Sequence, residues 1–232
     1  MSRKAKHDVA QYLLGIGKDH KTVKGQKQGW LTGIMYLQPS KELCPYSTEG
    51  CRASCLWSAG RGKMTVVQKA RKKRTQDLMR NKQKFFLRLI GEVVALQKKA
   101  ERENYNACVR LNGTSDLNFD SIVDYFKKSP VVFYDYTKNF WKVVFNNQKR
   151  YYLVYSRHEH TKTWQLWLLK LLRKNSAVVF KGGLPKTYKG IRVIDGDQSD
   201  LRFLDPKGVI VGLHCKGRGF KDTTGFVVEV EA

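Results

Sequence analysis

With 232 residues, 41% of them apolar, the chain is long enough to bury a core without covalent staples, which excludes a small disulfide scaffold. Lys and Arg number 44 against 20 Asp and Glu, a formal charge of +24 that repels itself until a polyanion neutralises it, so nucleic acid, DNA or RNA, is the expected partner. No apolar run approaches the roughly 18 residues of a membrane span, and the N-terminus lacks the apolar centre of a signal peptide, so a cytoplasmic protein with no membrane partner is expected.

Residues 1–29 carry seven Lys or Arg and little periodicity, and read as a basic arm ahead of a single domain over residues 30–232. The first strand candidate is WLTGIMYL, Trp30 to Leu37. A loop with Cys44, Cys51 and Cys55 follows it directly. Two helices come next, the first from about Lys63 to Arg80. Between Lys63 and Lys84 there are nine basic residues and one acid, Asp77, a density that suits a phosphate backbone as well as it suits a solvated helix face. Lys69, Arg71, Lys72, Lys73 and Arg74 are the candidate contacts. The second helix places Phe85, Phe86, Leu89, Ile90, Val93 and Leu96 at helical spacing.

From there, short apolar runs ending in polar residues alternate with amphipathic segments. NACVRL ends in NGTSD and precedes a helix with Phe119, Ile122, Val123 and Phe126 on one face. VVFY ends in DYTKN, before Phe140, Val143 and Val144. YYLVY ends in SRHEH, before a helix aligned on Trp164, Leu168, Leu171 and Leu172. AVVF ends in KGG, IRVI in DGDQSD and VIVGL in HCKGRG, and FVVEV closes the series. Eight strands alternating with helices require parallel pairing, because each crossover returns the chain to the same end of the sheet. The fold class is α/β: a compact or partly degenerate (β/α) barrel, or alternatively an open parallel sheet, at a length toward the short end for a barrel of roughly 250 residues.

In either architecture, the residues just past the C-terminal ends of parallel strands line the functional rim. Asp116, Asp135 and Arg157 are therefore candidate substrate-orienting groups. Asn112, Thr114, Ser115, Lys138, Asp195, Asp197 and Lys216 are candidate cofactor-binding groups. The same tips also read as ordinary turns and caps. In DGDQSD, Asp195, Asp197 and Asp200 offer hard oxygen ligands for Mg²⁺. The Trp164 and Trp167 pair reads as helix packing, because leucines share its spacing.

Three cysteines at C-x6-C-x3-C, in a chain with an odd total of five and no secretory signal, point to a soft-ligand metal centre. A structural zinc site closes with four ligands and normally uses C-x2-C pairs, which this loop lacks. A [4Fe-4S] cluster held by Cys44, Cys51 and Cys55 leaves one iron open for an exogenous ligand. Zinc remains the alternative metal. Cys108, alone in an apolar run, reads as a small core residue.

The loop CPYSTEGCRASCLWSAGRG, with VVQKARKKR, VRLNGTSD, FYDYTK, VYSR and VIDGDQSDLRFLDPKGVIVGLHCKGRG, resembles phage proteins of the gene product 88 family over about residues 30–228. That resemblance implies a phage origin, hence the host cytoplasm, and one domain. In element order, a three-cysteine loop straight after the first barrel strand is similar to radical S-adenosylmethionine enzymes. By that resemblance the three cysteines match the cluster ligands and S-adenosylmethionine takes the open iron. The spacing differs from that family's C-x3-C-x2-C, and the second strand ends in NGTSD in place of its Gly-Glu pair. The expected function is radical or redox chemistry on a nucleotide or nucleic acid; the alternative is a non-enzymatic nucleic-acid-binding protein of phage replication or host takeover, with a structural zinc or no metal.

Overall fold

The computed structural model describes residues 12–17 and 20–230. In chain order the elements are β1 (Leu14–Ile16), α1 (His20–Gln26), β2 (Trp30–Met35), α2 (Glu49–Ala53), α3 (Thr65–Arg80), α4 (Lys82–Arg102), β3 (Asn106–Arg110), α5 (Asp120–Tyr125), β4 (Val132–Thr137), α6 (Phe140–Phe145), β5 (Tyr151–Ser156), α7 (Thr163–Leu171), β6 (Ser176–Lys181), β7 (Thr187–Tyr188), β8 (Ile191–Asp195), β9 (Ile210–His214) and β10 (Val227–Glu229). All ten strands join one sheet in the order β1-β2-β3-β4-β5-β6-β9-β8-β7, with β10 pairing β6 beyond the end of β5. Every pairing is parallel except β1 with β2 and β7 with β8.

The eight strands legible in the sequence are all present. The sheet is open, however, and the barrel expectation gives way to the open parallel sheet. Among the described residues no pairing joins the β1 and β7 edges, each of which ends in an antiparallel strand. Part of the expected basic arm is also corrected. Leu13 is fully buried and β1 pairs with β2, because two consecutive leucines have more to gain in the core than in water. Residues 1–11 and 18–19 lie outside the described residues.

Strand order explains the layering. From β2 to β6 each strand sits beside its predecessor, and right-handed crossovers taken in one direction put all their helices on one face. That face is the main core: Phe85, Leu89, Val93 and Leu96 of α4, Ile122 and Val123 of α5, Phe140 and Val143 of α6, and Leu166 and Leu169 of α7 pack on Val109, Phe133, Leu153 and Val178 of the strands. The step from β8 back to β9 runs the other way, so its connection crosses to the opposite face. There Leu201 packs against Cys108, Val132 and Tyr134, with Trp30 and Phe203 alongside.

The same connection buries charge. Asp200, 2% exposed, accepts from the Tyr134 hydroxyl at 3.0 Å and pairs with Arg110 at 3.3 Å. Arg110 also lies over the Tyr136 ring at 4.7 Å. Burial of a carboxylate requires such partners. Asp200 is therefore spent inside the fold and unavailable to a magnesium site with Asp195 and Asp197.

Candidate functional site

A cavity of about 230 Å³ opens where the parallel strands end. Its walls come from the cysteine loop (Cys44, Ser47, Cys51, Ser54 and Cys55), the turn after β3, the ends of β4 and β5, the β9 terminus and the segment leading into β10. Its size suits a small molecule or one nucleotide moiety, below the roughly 300–1,000 Å³ of a drug-sized site.

The loop is clamped from two sides. Thr48 caps α2, and Glu159, from the segment after β5, accepts from the Gly50 N–H at 2.9 Å and the Thr48 hydroxyl at 2.8 Å. A carboxylate at the N-terminal N–H groups of a helix satisfies donors that the helix itself leaves open. On the other side the chain before β10 passes so close that a Cβ on Gly50 would stand 2.1 Å from Thr224 Oγ1 and 2.6 Å from Phe226 Cβ. Only glycine fits there.

Cys44, Cys51 and Cys55 all face the cavity, each partly buried. Burial foremost, then the neighbouring Cys51 and Cys55, pushes the Cys44 thiol up to about 12. Burial also raises Cys55, against the pull of the Trp57 backbone, Lys138 and Arg71. Cys44 and Cys55 thus hold their protons when nothing is bound, and each is close enough to Cys51 to feel its charge. Among the described residues, the only group of three His, Cys, Asp or Glu ligand atoms within 4.8 Å of one another is Asp195, Asp197 and His214. At least one pair of the three sulfurs is therefore more than 4.8 Å apart, wider than the roughly 3.8 Å that ligands 2.3 Å from one tetrahedral zinc would require.

The expected rim residues divide into three groups. Asn112, Thr114, Ser115, Asp116, Lys138, Asp197 and Lys216 line the cavity with the cysteines. Most of their polar atoms are already engaged. Asn112 Oδ1 accepts from Ser115 and the Leu117 N–H, Asp116 accepts from the Lys138 N–H at 2.8 Å, and Lys138 Nζ donates to Ser156 at 2.8 Å. Lys216 reaches Asp197 at 2.6 Å.

A second group is diverted. Asp135 is 1% exposed and faces the helix layer, where it accepts from the Asn112 N–H at 2.7 Å and the Tyr151 hydroxyl at 3.0 Å. It braces the turn that shapes the cavity and does not line it. Arg157 donates to the Gly225 and Phe226 carbonyls, tying β5 to the chain before β10. Asp195 sits beside the cavity with its Oδ1 accepting from the Asp197 N–H.

The third group is the basic run of α3. Lys69, Lys72 and Lys73 are exposed, but Arg71 and Arg74 are each 7% exposed and carry structure. Arg71 holds the Trp57 carbonyl and covers the Tyr36 ring, while Arg74 holds the Tyr12 carbonyl. The period of the helix turns these two inward, so they are not phosphate contacts.

Arg110 and Tyr136, which no sequence expectation named, also line the cavity, as do His214 and Cys215 from the end of β9. Arg110 carried a legible signal, a charge inside an apolar strand. Its Nε and the Tyr136 hydroxyl are buried without a hydrogen-bond partner among the described residues.

The gene product 88 family model matches residues 12–230. The chain belongs to that family. Gene product 88 proteins are phage proteins, and the match spans the whole sheet together with the cysteine loop. Comparison with curated proteins and with solved structures returned no match. No helix among the described residues is long and apolar enough to cross a membrane.

Proposed function

We propose that this gene product 88 protein is a metalloenzyme in which Cys44, Cys51 and Cys55 hold a [4Fe-4S] cluster at the cavity, acting on a nucleotide or nucleic acid. The observation that carries the reading is the convergence of three thiols from one loop on a cavity at the C-terminal ends of the parallel strands. The donor set fits the group. Thiolates suit iron-sulfur clusters, and ligands to a cubane sit on different irons, which accommodates sulfurs set too widely for one zinc.

Such a cluster supplies one-electron redox chemistry when bound. The chain's own residues enclose and orient. The Thr48, Gly50 and Glu159 clamp fixes α2 and with it Cys51. Burial raises the Asp116 carboxyl above its ordinary value, against its hydrogen bonds from Lys138 and Thr137, and its position in the cavity wall makes it our candidate to exchange a proton with a bound ligand. Lys138 presents positive charge beside Cys44 and Cys55, offsetting anionic thiolates.

A second reading, a nucleic-acid-binding protein braced by structural zinc, is favoured by Cys215 and His214, which stand in the same wall and offer a fourth ligand. Anaerobic reconstitution with iron and sulfide separates the two. Broad visible absorption with iron and sulfide bound, lost in Cys51→Ala and kept in Cys215→Ala, is expected. A colourless protein with one zinc that needs Cys215 would overturn the cluster.

A further inference from the structure

Two consecutive helices turn large rings toward water. Trp141 and Phe145 of α6 are 54% and 73% exposed, and Trp164 and Trp167 of α7 are 54% and 45% exposed. The helical period accounts for the geometry: α6 buries Phe140 and Val143 and α7 buries Leu166 and Leu169, so the tryptophans fall on the outer faces. Packing accounts for only part of Trp164, which meets Phe140, and of Trp167, which lies against Gly190 and beneath Lys170, so their reading from the sequence as helix packing is incomplete.

Placement gives these rings a role. Trp141 and Trp164 lie in the first turns of helices that begin just past the ends of β4 and β5, on the rim that carries the cavity. Phe140 joins them, its ring meeting Trp141 at 5.1 Å and Trp164 at 5.5 Å, edge on in both cases. Trp141 in turn stacks on Phe145 at 5.6 Å with an interplanar angle of 16°. The result is a supported row of aromatic faces, three residues on from Lys138 in the cavity wall.

The charge of the segment selects the occupant. Residues 138–174 contain nine Lys or Arg and one acid, Glu159. That acid is committed to Thr48 and Gly50. Even with Lys142 paired to Asp120 of α5 at 2.9 Å, an apolar protein surface laid on these rings would meet an excess of positive charge. A polyanion with flat apolar groups satisfies both features at once, since phosphates neutralise the charge and unpaired bases stack on indoles.

We infer that the outer face of α6 and α7 is a platform for single-stranded nucleic acid, with bases stacked on Trp141 and Trp164 and the strand leading to the cavity. Exposed Lys162, directly before the first turn of α7, is placed to meet the phosphate beside Trp164. A duplex offers its base faces only at its ends, so the platform selects unpaired strands. The inference shares only its substrate class with the proposed cluster chemistry.

The test is fluorescence anisotropy of a labelled oligothymidylate of roughly 20 nucleotides, compared with a duplex of the same length. The single strand is expected to bind more tightly. Trp141→Ala and Trp164→Ala should each weaken it by about 5- to 100-fold, with most of the affinity restored in the Phe variants. Leu171→Ala, at a site 80% exposed, is expected to bind as wild type. Equal binding of single strand and duplex, or Ala variants indistinguishable from wild type, would overturn the platform. So would self-association that the Trp→Ala changes abolish while oligonucleotide binding persists, which would assign the face to protein contact. Cluster absorption is read in the same samples: colourless protein that still loses oligonucleotide affinity on Trp→Ala counts against the cluster alone.

Discussion

The carboxyl of Asp135 lies beneath the helices, and burial pushes its pKa up to about 7 despite the donors from Asn112 and the Tyr151 hydroxyl. The folded protein then keeps this proton to about pH 7, whereas the unfolded chain releases it near the usual 3.8. Between those limits the native state binds more protons, so the stability present at acid pH is lost as pH rises through the folded value. Asp135→Asn is neutral at every pH and can donate its amide to the Tyr151 hydroxyl. Melting temperatures measured from about pH 4 to 8 should fall for wild type relative to the variant up to about 7, then run parallel. Parallel curves throughout would mean that the carboxylate stays ionised and its hydrogen bonds win. Asp135 also shows what the sequence hides at this scale. A polar residue near a strand end reads as a rim residue, but period-two alternation puts it on the same face as Phe133, in the helix-side core. Asp116, in the turn after its strand, is free of that alternation and lines the cavity.

Among the elements, the cysteine helix α2 depends on chain that arrives more than a hundred residues later. Glu159 caps its N-terminus and Thr224 and Phe226 press on Gly50. Gly50→Ala forces the segment before β10 outward, because the Phe226 Cβ moves only with its backbone, at a cost of roughly 1–3 kcal/mol. A lower urea midpoint and reduced metal retention after reconstitution are expected, read by denaturation and by metal analysis. A variant with wild-type midpoint and retention would show that the two segments do not hold each other. Elements with their own apolar pattern were legible: the eight strands and α4, whose Phe85, Leu89, Val93 and Leu96 are all buried. Elements defined by pairing alone were not. Strands β1 and β7, of three and two residues, have no period to read and exist because a parallel edge accepts an antiparallel partner. In α7 the run TWQLWLLKL is apolar on every side, so spacing could not tell the buried Leu166 and Leu169 from the exposed Trp164 and Leu171.

At the scale of the whole molecule, alternation of strands and helices specified a parallel sheet but could not specify its closure, since closure depends on strand number and stagger, which local patterns do not encode. The connection from β8 to β9 settles the matter by filling the inner face with Leu201, Asp200 and Phe203. The net charge of +24, in contrast, was legible outright, and its distribution would decide how the proposed affinity for nucleic acid responds to salt. Each lysine that displaces a counterion from a single strand contributes about 0.7 to the slope of log affinity against log salt. Of the basic run on α3, only Lys69, Lys72 and Lys73 are outward-facing members of the expected contact set. Replacing all three by Ala should therefore reduce the slope by about 2 if this face touches the strand. A slope equal to wild type would remove α3 from the interface and leave the α6 and α7 platform as the contact. Arg71→Ala supplies the contrast, because its guanidinium holds the Trp57 carbonyl inside the cysteine loop. That change should lower the melting temperature and leave the salt slope as it was, and the reverse outcome would show that Arg71 reaches phosphate after all.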